Sequence, residues 1–184
     1  HVSLVGSEMC IRDRASCGDD IGFIEKVIDH HKNKYDIQRV IVIGMSNGGM
    51  IAQAIGCNLT DKVDAIINIE GMQALGMSCT PKKPITMVIY GAKNDTTVPP
   101  EDILASDGYF YEPMQNTVND WKSAFNCSNS TTKETLSPAN ISETHFYDCD
   151  DGVTVTSILD HNNDHDWPKP YKWGINLLFD PILN

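Results

Sequence analysis

Residues 40–50 read VIVIGMSNGGM, in which a run of β-branched residues leads directly into a Gly-x-Ser-x-Gly motif. The first four of these residues predict a strand that is buried on both faces. Because glycines stand two positions before and two positions after Ser46, the strand and the helix that follows can come close enough for a sharp turn. Such a turn exposes the serine hydroxyl to a base and to a substrate carbonyl. The segment therefore predicts a nucleophile elbow with Ser46 as nucleophile and the amide of Asn47 as an oxyanion donor; the alternative is a plain glycine-rich turn.

The composition is typical of a globular protein. The chain has 184 residues, of which 41% are hydrophobic and 21% are charged, enough for one domain with its own core. Fourteen basic and 25 acidic residues give a net charge of −11, which favours a neutral or cationic small substrate. The same charge disfavours a nucleic acid or an anionic membrane as partner. No apolar run approaches the roughly 18 residues of a membrane span, so we expect no membrane partner.

Residues 1–14, HVSLVGSEMCIRDR, differ in character from the rest of the chain. They have no charged region before an apolar core, so they do not read as a signal peptide. They resemble a translated sequencing adapter; the alternative is a genuine strand from Val2 to Val5. We therefore treat residues 1–14 as a non-native segment and expect residues 15–184 to form a single domain.

Hydrophobic periodicity predicts alternating helices and strands along residues 15–184. Asp19 or Asp20 begins a helix that runs to about Lys34. Beyond the elbow, the pattern predicts a helix to about residue 57, strands over 64–70, 85–91 and 153–159, helices over 113–125 and 173–179, and a surface loop over 128–142. Helical segments between strands require crossover connections, so the sheet should be mostly parallel. The predicted fold class is α/β.

A serine nucleophile in this architecture requires an acid and then a histidine, each just after the end of a strand. Asp95 follows the strand over residues 85–90, and His165 follows the strand over 153–159. The histidine would take the proton of the serine, and the aspartate would hold the imidazole in the required tautomer. Taken singly, Asp95 could be an ordinary loop aspartate and His165 one of two histidines in a polar loop. Their order and position favour a triad of Ser46, Asp95 and His165.

The histidines give no metal prediction. His30 and His31 lie on the polar face of the first helix. The loop over 161–166, HNNDHD, offers two histidines and two aspartates but neither a cysteine nor the helical histidine spacing of many metal sites. We therefore expect no metal and no other cofactor.

Four motifs together resemble those of the polyhydroxybutyrate depolymerase and feruloyl esterase family of secreted α/β-hydrolases. They are DDIGFI at 19–24, GMSNGGM at 44–50, GAKNDTTVP at 91–99 and HDWP at 165–168. The resemblance implies a three-layer α/β-hydrolase fold, with Ser46 as nucleophile, Asp95 as acid and His165 as base. It also implies that Trp167, next but one to the base, forms a wall of the substrate pocket.

Members of that family begin further upstream, with a strand that ends in a His-Gly loop. No such sequence precedes Asp19 here. The resemblance therefore implies that the N-terminal strands of the fold are missing and that residues 15–184 form a single but incomplete α/β-hydrolase domain. The second oxyanion amide, which comes from a loop after an earlier strand, should be missing with them.

Cysteine usage favours an exported protein. Apart from Cys10, the chain has five cysteines and no Cys-x-x-Cys spacing, and the alternative is a set of buried free thiols. The family resemblance implies disulfides between Cys57 and Cys79 and between Cys127 and Cys149, with Cys17 lacking its partner. We expect a secreted or periplasmic protein.

These observations predict a serine carboxylesterase that works through an acyl-enzyme. The resemblance implies a small-molecule or polymeric ester substrate: a polyhydroxyalkanoate, a feruloyl or acetyl ester on plant polysaccharide, or a simple aryl ester. Two alternatives stay open, a serine peptidase of the same fold and a non-catalytic α/β-hydrolase-like binding module.

Overall fold

The computed structural model describes residues 19–183. Its helices are α1 (Asp20–Lys34), α2 (Asn47–Asn58), α3 (Met114–Ala124) and α4 (Tyr171–Leu183), with a short 3-10 helix at Asp150–Gly152. Its strands are β1 (Ile41–Met45), β2 (Ala65–Ile69), β3 (Thr86–Ala92), β4 (Asn129–Thr135), β5 (Ile141–Tyr147) and β6 (Val155–Asp160). The expectations for residues 1–14 and for Cys17 lie outside the described residues.

The described strands form one sheet in the order β1-β2-β3-β6-β5-β4. Strands β1, β2, β3 and β6 run parallel, which confirms the prediction made from the helical crossovers. Strand β5 pairs antiparallel with β6, and β4 pairs antiparallel with β5. The carboxyl ends of the four parallel strands therefore meet at one edge, which is where ligands bind in open α/β sheets.

Helices cover both faces of the parallel part of the sheet. On one face, Ile66 of β2 and Met87 of β3 pack in a core with residues of α1, α2 and α3. On the other face, the neighbouring residues Ile67 and Val88 pack with Leu178 of α4. Successive residues of a strand point to opposite faces, so β2 and β3 carry apolar residues at most of their positions. The arrangement has the three layers that the resemblance implied.

The expectation that β1 is buried on both faces is wrong. All five of its residues are only partly buried, whereas all five residues of β2 are fully buried. In the described part of the chain, β1 pairs with β2 alone and lies at the edge of the sheet. A strand with one neighbour leaves one row of its backbone groups outside the ladder, which explains the difference.

The predicted surface loop over residues 128–142 is also wrong, because the segment forms β4 and begins β5. The two strands form a β-hairpin in which Thr132 faces Thr144, with 3.2 Å between their hydroxyl oxygens. Threonine favours strands, but almost every residue of β4 is exposed to solvent. The segment consequently lacks the apolar alternation by which a strand is recognised in sequence.

Two disulfides confirm the cysteine pairing that the resemblance implied. Cys57 at the end of α2 binds Cys79, and Cys127 after α3 binds Cys149. Each disulfide therefore ties the end of a helix to a loop on another part of the chain. Among residues 19–183, none of the helices has the length and apolar character needed to traverse a bilayer.

Candidate active site

Ser46 occupies the turn between β1 and α2 in a backbone conformation that side chains rarely adopt. Its φ is 56° and its ψ is −125°. A Cβ atom on Gly44 would lie 2.0 Å from the carbonyl oxygen of Gly48, a contact that no side chain can tolerate. The strand and the helix therefore cross so closely that glycine is required at position 44. This is the geometry of a nucleophile elbow.

Backbone hydrogen bonds fix the turn to the rest of the sheet. The amide of Ser46 donates to the carbonyl of Ile69 at the end of β2 (2.8 Å), and the amide of Met50 donates to the carbonyl of Ser46 (3.1 Å). Asn47 is the first residue of α2, and the first amides of a helix have no partner within the helix. The amide of Asn47 thus lies at the positive end of the helix dipole, where an oxyanion donor is expected.

Asp95 lies in the turn after β3, and its side chain is fully buried. Its Oδ1 accepts hydrogen bonds from the backbone amides of Thr97 (2.7 Å) and Val98 (2.9 Å). Its Oδ2 lies 2.7 Å from Nδ1 of His165. The two amides fix the carboxylate, which leaves the second oxygen directed at the imidazole.

The loop that carries His165 is anchored to β3 through a buried polar network that sequence reasoning missed. The hydroxyl of Tyr90 donates to Asp160 Oδ2 (3.0 Å) and accepts from Asn163 Nδ2 (3.0 Å). The same Asn163 amide group contacts the carbonyl oxygens of Asp166 (3.0 Å) and Trp167 (3.3 Å), in the turn just past the histidine. Burial raises the pKa of the Tyr90 hydroxyl, so the hydroxyl remains a donor to Asp160. The feature of the sequence that could have indicated this network is the group of polar residues immediately after a buried strand.

The second histidine of this loop lies elsewhere. Nε2 of His161 is 2.5 Å from the hydroxyl of Ser142 on β5. The structure therefore brings His165, and not His161, to Asp95. Trp167 is 37% exposed beside this loop, and its role in a substrate pocket stays a prediction.

Within residues 19–183, the hydrogen bonds of His165 run to its acid and not to Ser46. Such a bond between serine and base often forms only when substrate is bound. The side chain of His165 is 23% exposed, so a substrate can reach it from solvent. The catalytic roles of Ser46, Asp95 and His165 stay predictions that this geometry supports.

Glu70, the residue after β2, is a further acidic group that sequence reasoning missed. Its side chain is fully buried, and its Oε2 lies 3.3 Å from Nδ1 of His165. Burial first, and then repulsion by Asp95, raises the pKa of the Glu70 carboxyl from 4.5 to about 9. At neutral pH this carboxyl is therefore protonated. A charged residue at the end of a largely apolar strand was the signal in the sequence.

Glu70, Asp95 and His165 are also the described residues that could hold a metal ion. One ligand atom from each lies within 4.8 Å of the others. Imidazole and carboxylate ligands suit several divalent transition metals. A metal bound there through Nδ1 would displace the hydrogen bond to Asp95, so metal binding and triad chemistry would compete for one atom.

Comparisons with known proteins bear on the fold. No family model matches the chain, and no curated protein matches it in sequence. An acetyl xylan esterase from Aspergillus awamori is similar in structure, with a TM-score of 0.60 and 15% identity over 88% of this chain and 67% of that one. A protein of unknown function from Agrobacterium tumefaciens has a TM-score of 0.57 and 15% identity over 87% of this chain and 60% of its own. The chain thus spans about two thirds of their length, and its fold is that of an α/β hydrolase, similar to an esterase.

Proposed function

We propose that the chain is a serine hydrolase that cleaves carboxylic ester bonds. The observation that carries the proposal is the arrangement at the carboxyl edge of the sheet. There Ser46 sits in a turn with positive φ, and His165 is hydrogen-bonded to the buried Asp95 at 2.7 Å. The similarity of the fold to an acetyl xylan esterase supports the same reaction class.

The chemistry follows from the roles of the three side chains. The Ser46 hydroxyl attacks the ester carbonyl while Nε2 of His165 takes its proton, and Asp95 accepts the hydrogen bond of Nδ1 and stabilises the imidazolium. The amide of Asn47 donates to the oxyanion. The imidazolium then protonates the leaving alcohol, and a water molecule activated by His165 releases the acyl group from the serine.

Charge and disulfides support an exported enzyme that acts on uncharged esters. The net charge of −11 repels anionic substrates, and an acetyl or feruloyl ester on plant polysaccharide or a polyester is uncharged at the bond that breaks. Disulfides persist in oxidising compartments, so the two found here support a secreted or periplasmic location. The family that the four sequence motifs resemble is likewise one of secreted α/β-hydrolases.

The test is covalent labelling with a fluorophosphonate, together with hydrolysis of p-nitrophenyl acetate. We expect one label per chain at Ser46, and loss of both label and hydrolysis in Ser46→Ala. Removal of a serine nucleophile typically costs about ten-thousandfold or more in turnover. Ser123→Ala is the matched control, because Ser123 lies exposed on α3.

Two other results would each contradict the proposal in a different way. A chain that is folded but neither labelled nor active would be a binding module. A chain that is labelled and cleaves a peptide p-nitroanilide faster than the ester would be a peptidase.

A further inference from the structure

Glu70 lies at the carboxyl edge of the sheet, between the ends of β1 and β3, but has no part in the mechanism described above. The preceding residue, Ile69, accepts the hydrogen bond of the Ser46 amide, so Glu70 follows directly beside the nucleophile turn. On the other side, its own amide donates to the carbonyl of Tyr90 on β3 (2.8 Å). Because β2 lies between β1 and β3, Glu70 stands between the strand end of the serine and that of the aspartate.

Several features make this glutamate costly to keep. Its φ is 50°, a left-handed conformation that is unfavourable for a residue with a side chain. Its side chain is fully buried, and within residues 19–183 neither carboxyl oxygen has a hydrogen bond of good geometry. A strained backbone and an unsatisfied buried polar group at one residue are together a sign of function.

The Glu70 carboxyl group lies next to the imidazole of His165. Nδ1 of His165 lies 2.7 Å from Asp95 Oδ2 and 3.3 Å from Glu70 Oε2, so two carboxyl groups converge on one N–H. The shorter contact is the hydrogen bond, and the longer one is within hydrogen-bond distance but does not have the geometry of a hydrogen bond. On this geometry we propose that Glu70 is a positioning residue for His165, a second acid that can take the place of Asp95 at Nδ1. The proposal rests on the proposed serine hydrolase function.

The charges around Glu70 explain why Asp95 takes the hydrogen bond in the intact protein. Burial is the main cause that disfavours ionisation of Glu70, and the carboxylates of Asp95, Asp166 and Asp164 disfavour it further. The backbone of Asp166 acts in the opposite direction, through its interaction with the carboxyl group. Tyr90 also faces Glu70 from β3, and its hydroxyl remains neutral. With Asp95 charged, Glu70 keeps its proton. When the charge of Asp95 is removed, burial still raises the pKa of Glu70 but the largest repulsion disappears, so Glu70 ionises at a lower pH than in the wild type and then accepts the Nδ1 proton in a hydrogen bond.

A double-mutant cycle of Asp95→Asn and Glu70→Gln tests this exchange. In Asp95→Asn the side-chain oxygen can still accept the two backbone amides, and in a triad with a single acid this change costs about ten-thousandfold in turnover because the imidazole adopts the wrong tautomer. With Glu70 as second acid we expect Asp95→Asn to lose only about a hundredfold, and Glu70→Gln to cost at least about tenfold more in the Asp95→Asn background than in the wild type. Rates for Asp95→Asn should also rise with pH as Glu70 ionises, and this rise should be absent from the double variant.

The tautomer of His165 provides a second measurement that does not need turnover. Nitrogen-15 NMR of the full chain distinguishes an imidazole protonated at Nδ1 from one protonated at Nε2. At a pH where the rate of Asp95→Asn has stopped rising, we expect the Nδ1–H form in the wild type and in Asp95→Asn, and the Nε2–H form in the double variant. Asp120→Asn is the control, since it removes a carboxylate from an exposed position on α3 that is not among the charges acting on Glu70; its effect on the rate should add to that of Glu70→Gln.

Two results would overturn the proposal. One is an equal cost of Glu70→Gln in the wild-type and Asp95→Asn backgrounds. The other is an Nε2–H tautomer in Asp95→Asn at a pH where the rate of that variant has stopped rising. If the wild type neither reacts with fluorophosphonate nor hydrolyses esters, the proposed function fails, and the NMR measurement still decides whether Glu70 holds His165.

Discussion

Replacement of Glu70 by glutamine should stabilise the protein, and by more at higher pH. The pKa of this carboxyl is raised from 4.5 to about 9, so the folded state holds the proton more tightly than the unfolded chain does. The stability that Glu70 contributes is therefore complete below its unfolded pKa and is lost progressively as the pH rises towards the folded pKa. Since one pKa unit corresponds to about 1.4 kcal/mol, the loss is about 3 kcal/mol at pH 7 and below about 1 kcal/mol at pH 5.

Glutamine has nearly the shape of a protonated glutamate but does not titrate. The difference in free energy of unfolding between Glu70→Gln and wild type should therefore grow by about 2 to 3 kcal/mol between pH 5 and pH 7. Urea unfolding followed by fluorescence of the buried Trp121, with the disulfides intact, measures this difference at each pH. Glu101→Gln is the matched control, because Glu101 is exposed and its substitution should give no such trend. A difference that stays constant with pH would refute the argument, since it would mean that Glu70 ionises equally well in the folded protein.

Two further changes probe the elbow and the disulfides. Gly44→Ala places a Cβ 2.0 Å from the backbone oxygen of Gly48, so it should destabilise the protein by at least about 2 kcal/mol and abolish fluorophosphonate labelling. Gly56→Ala meets only side-chain atoms, at 3.0 Å or more, and should cost less in a urea titration; equal costs would contradict the close crossing at the elbow. Replacing both Cys127 and Cys149 by serine removes a loop constraint of 22 residues and should lower the free energy of unfolding by about 3 kcal/mol. An unchanged urea midpoint would show that the disulfide does not restrict the unfolded chain.

The sequence alone predicts the parallel sheet and the helices that flank it because burial leaves a strong apolar pattern. Strands β2 and β3 are buried on both faces, and their runs of isoleucine, valine and methionine are typical of such strands. Asp95 and His165 follow strands of this kind, and the structure brings them to 2.7 Å of each other. Where burial is missing, the prediction fails: β4 is exposed along nearly its whole length, and its polar threonines and serine resemble a loop.

Glu70 and the network around Tyr90 were missed for a different reason. Their significance depends on contacts between residues far apart in the chain, such as the hydrogen bond from Tyr90 to Asp160. Composition and spacing carry no record of which polar residues meet across a sheet. A serine triad also contains a single acid, and Asp95 already fills that place. An acidic residue at the end of a buried strand is nevertheless visible in sequence, and its burial indicates a special role because an unpaired buried charge is unfavourable.

The sheet order explains why two acids can meet one histidine. His165 comes from the loop after β6, whereas Ser46 follows β1, and β3 and β2 lie between these strands. Neighbouring strands are about 4.8 Å apart, so a histidine loop that serves the serine must reach across about 14 Å of the sheet edge. On the way it passes the end of β3, which carries Asp95, and the end of β2, which carries Glu70.

The network of Tyr90 and Asn163 ties the start of this loop to β3 and so sets its height above both strand ends. An acid at either strand end can therefore bind Nδ1, and the environment of each carboxyl decides which one does: Asp95 is held by two backbone amides, whereas Glu70 is unsatisfied and keeps its proton.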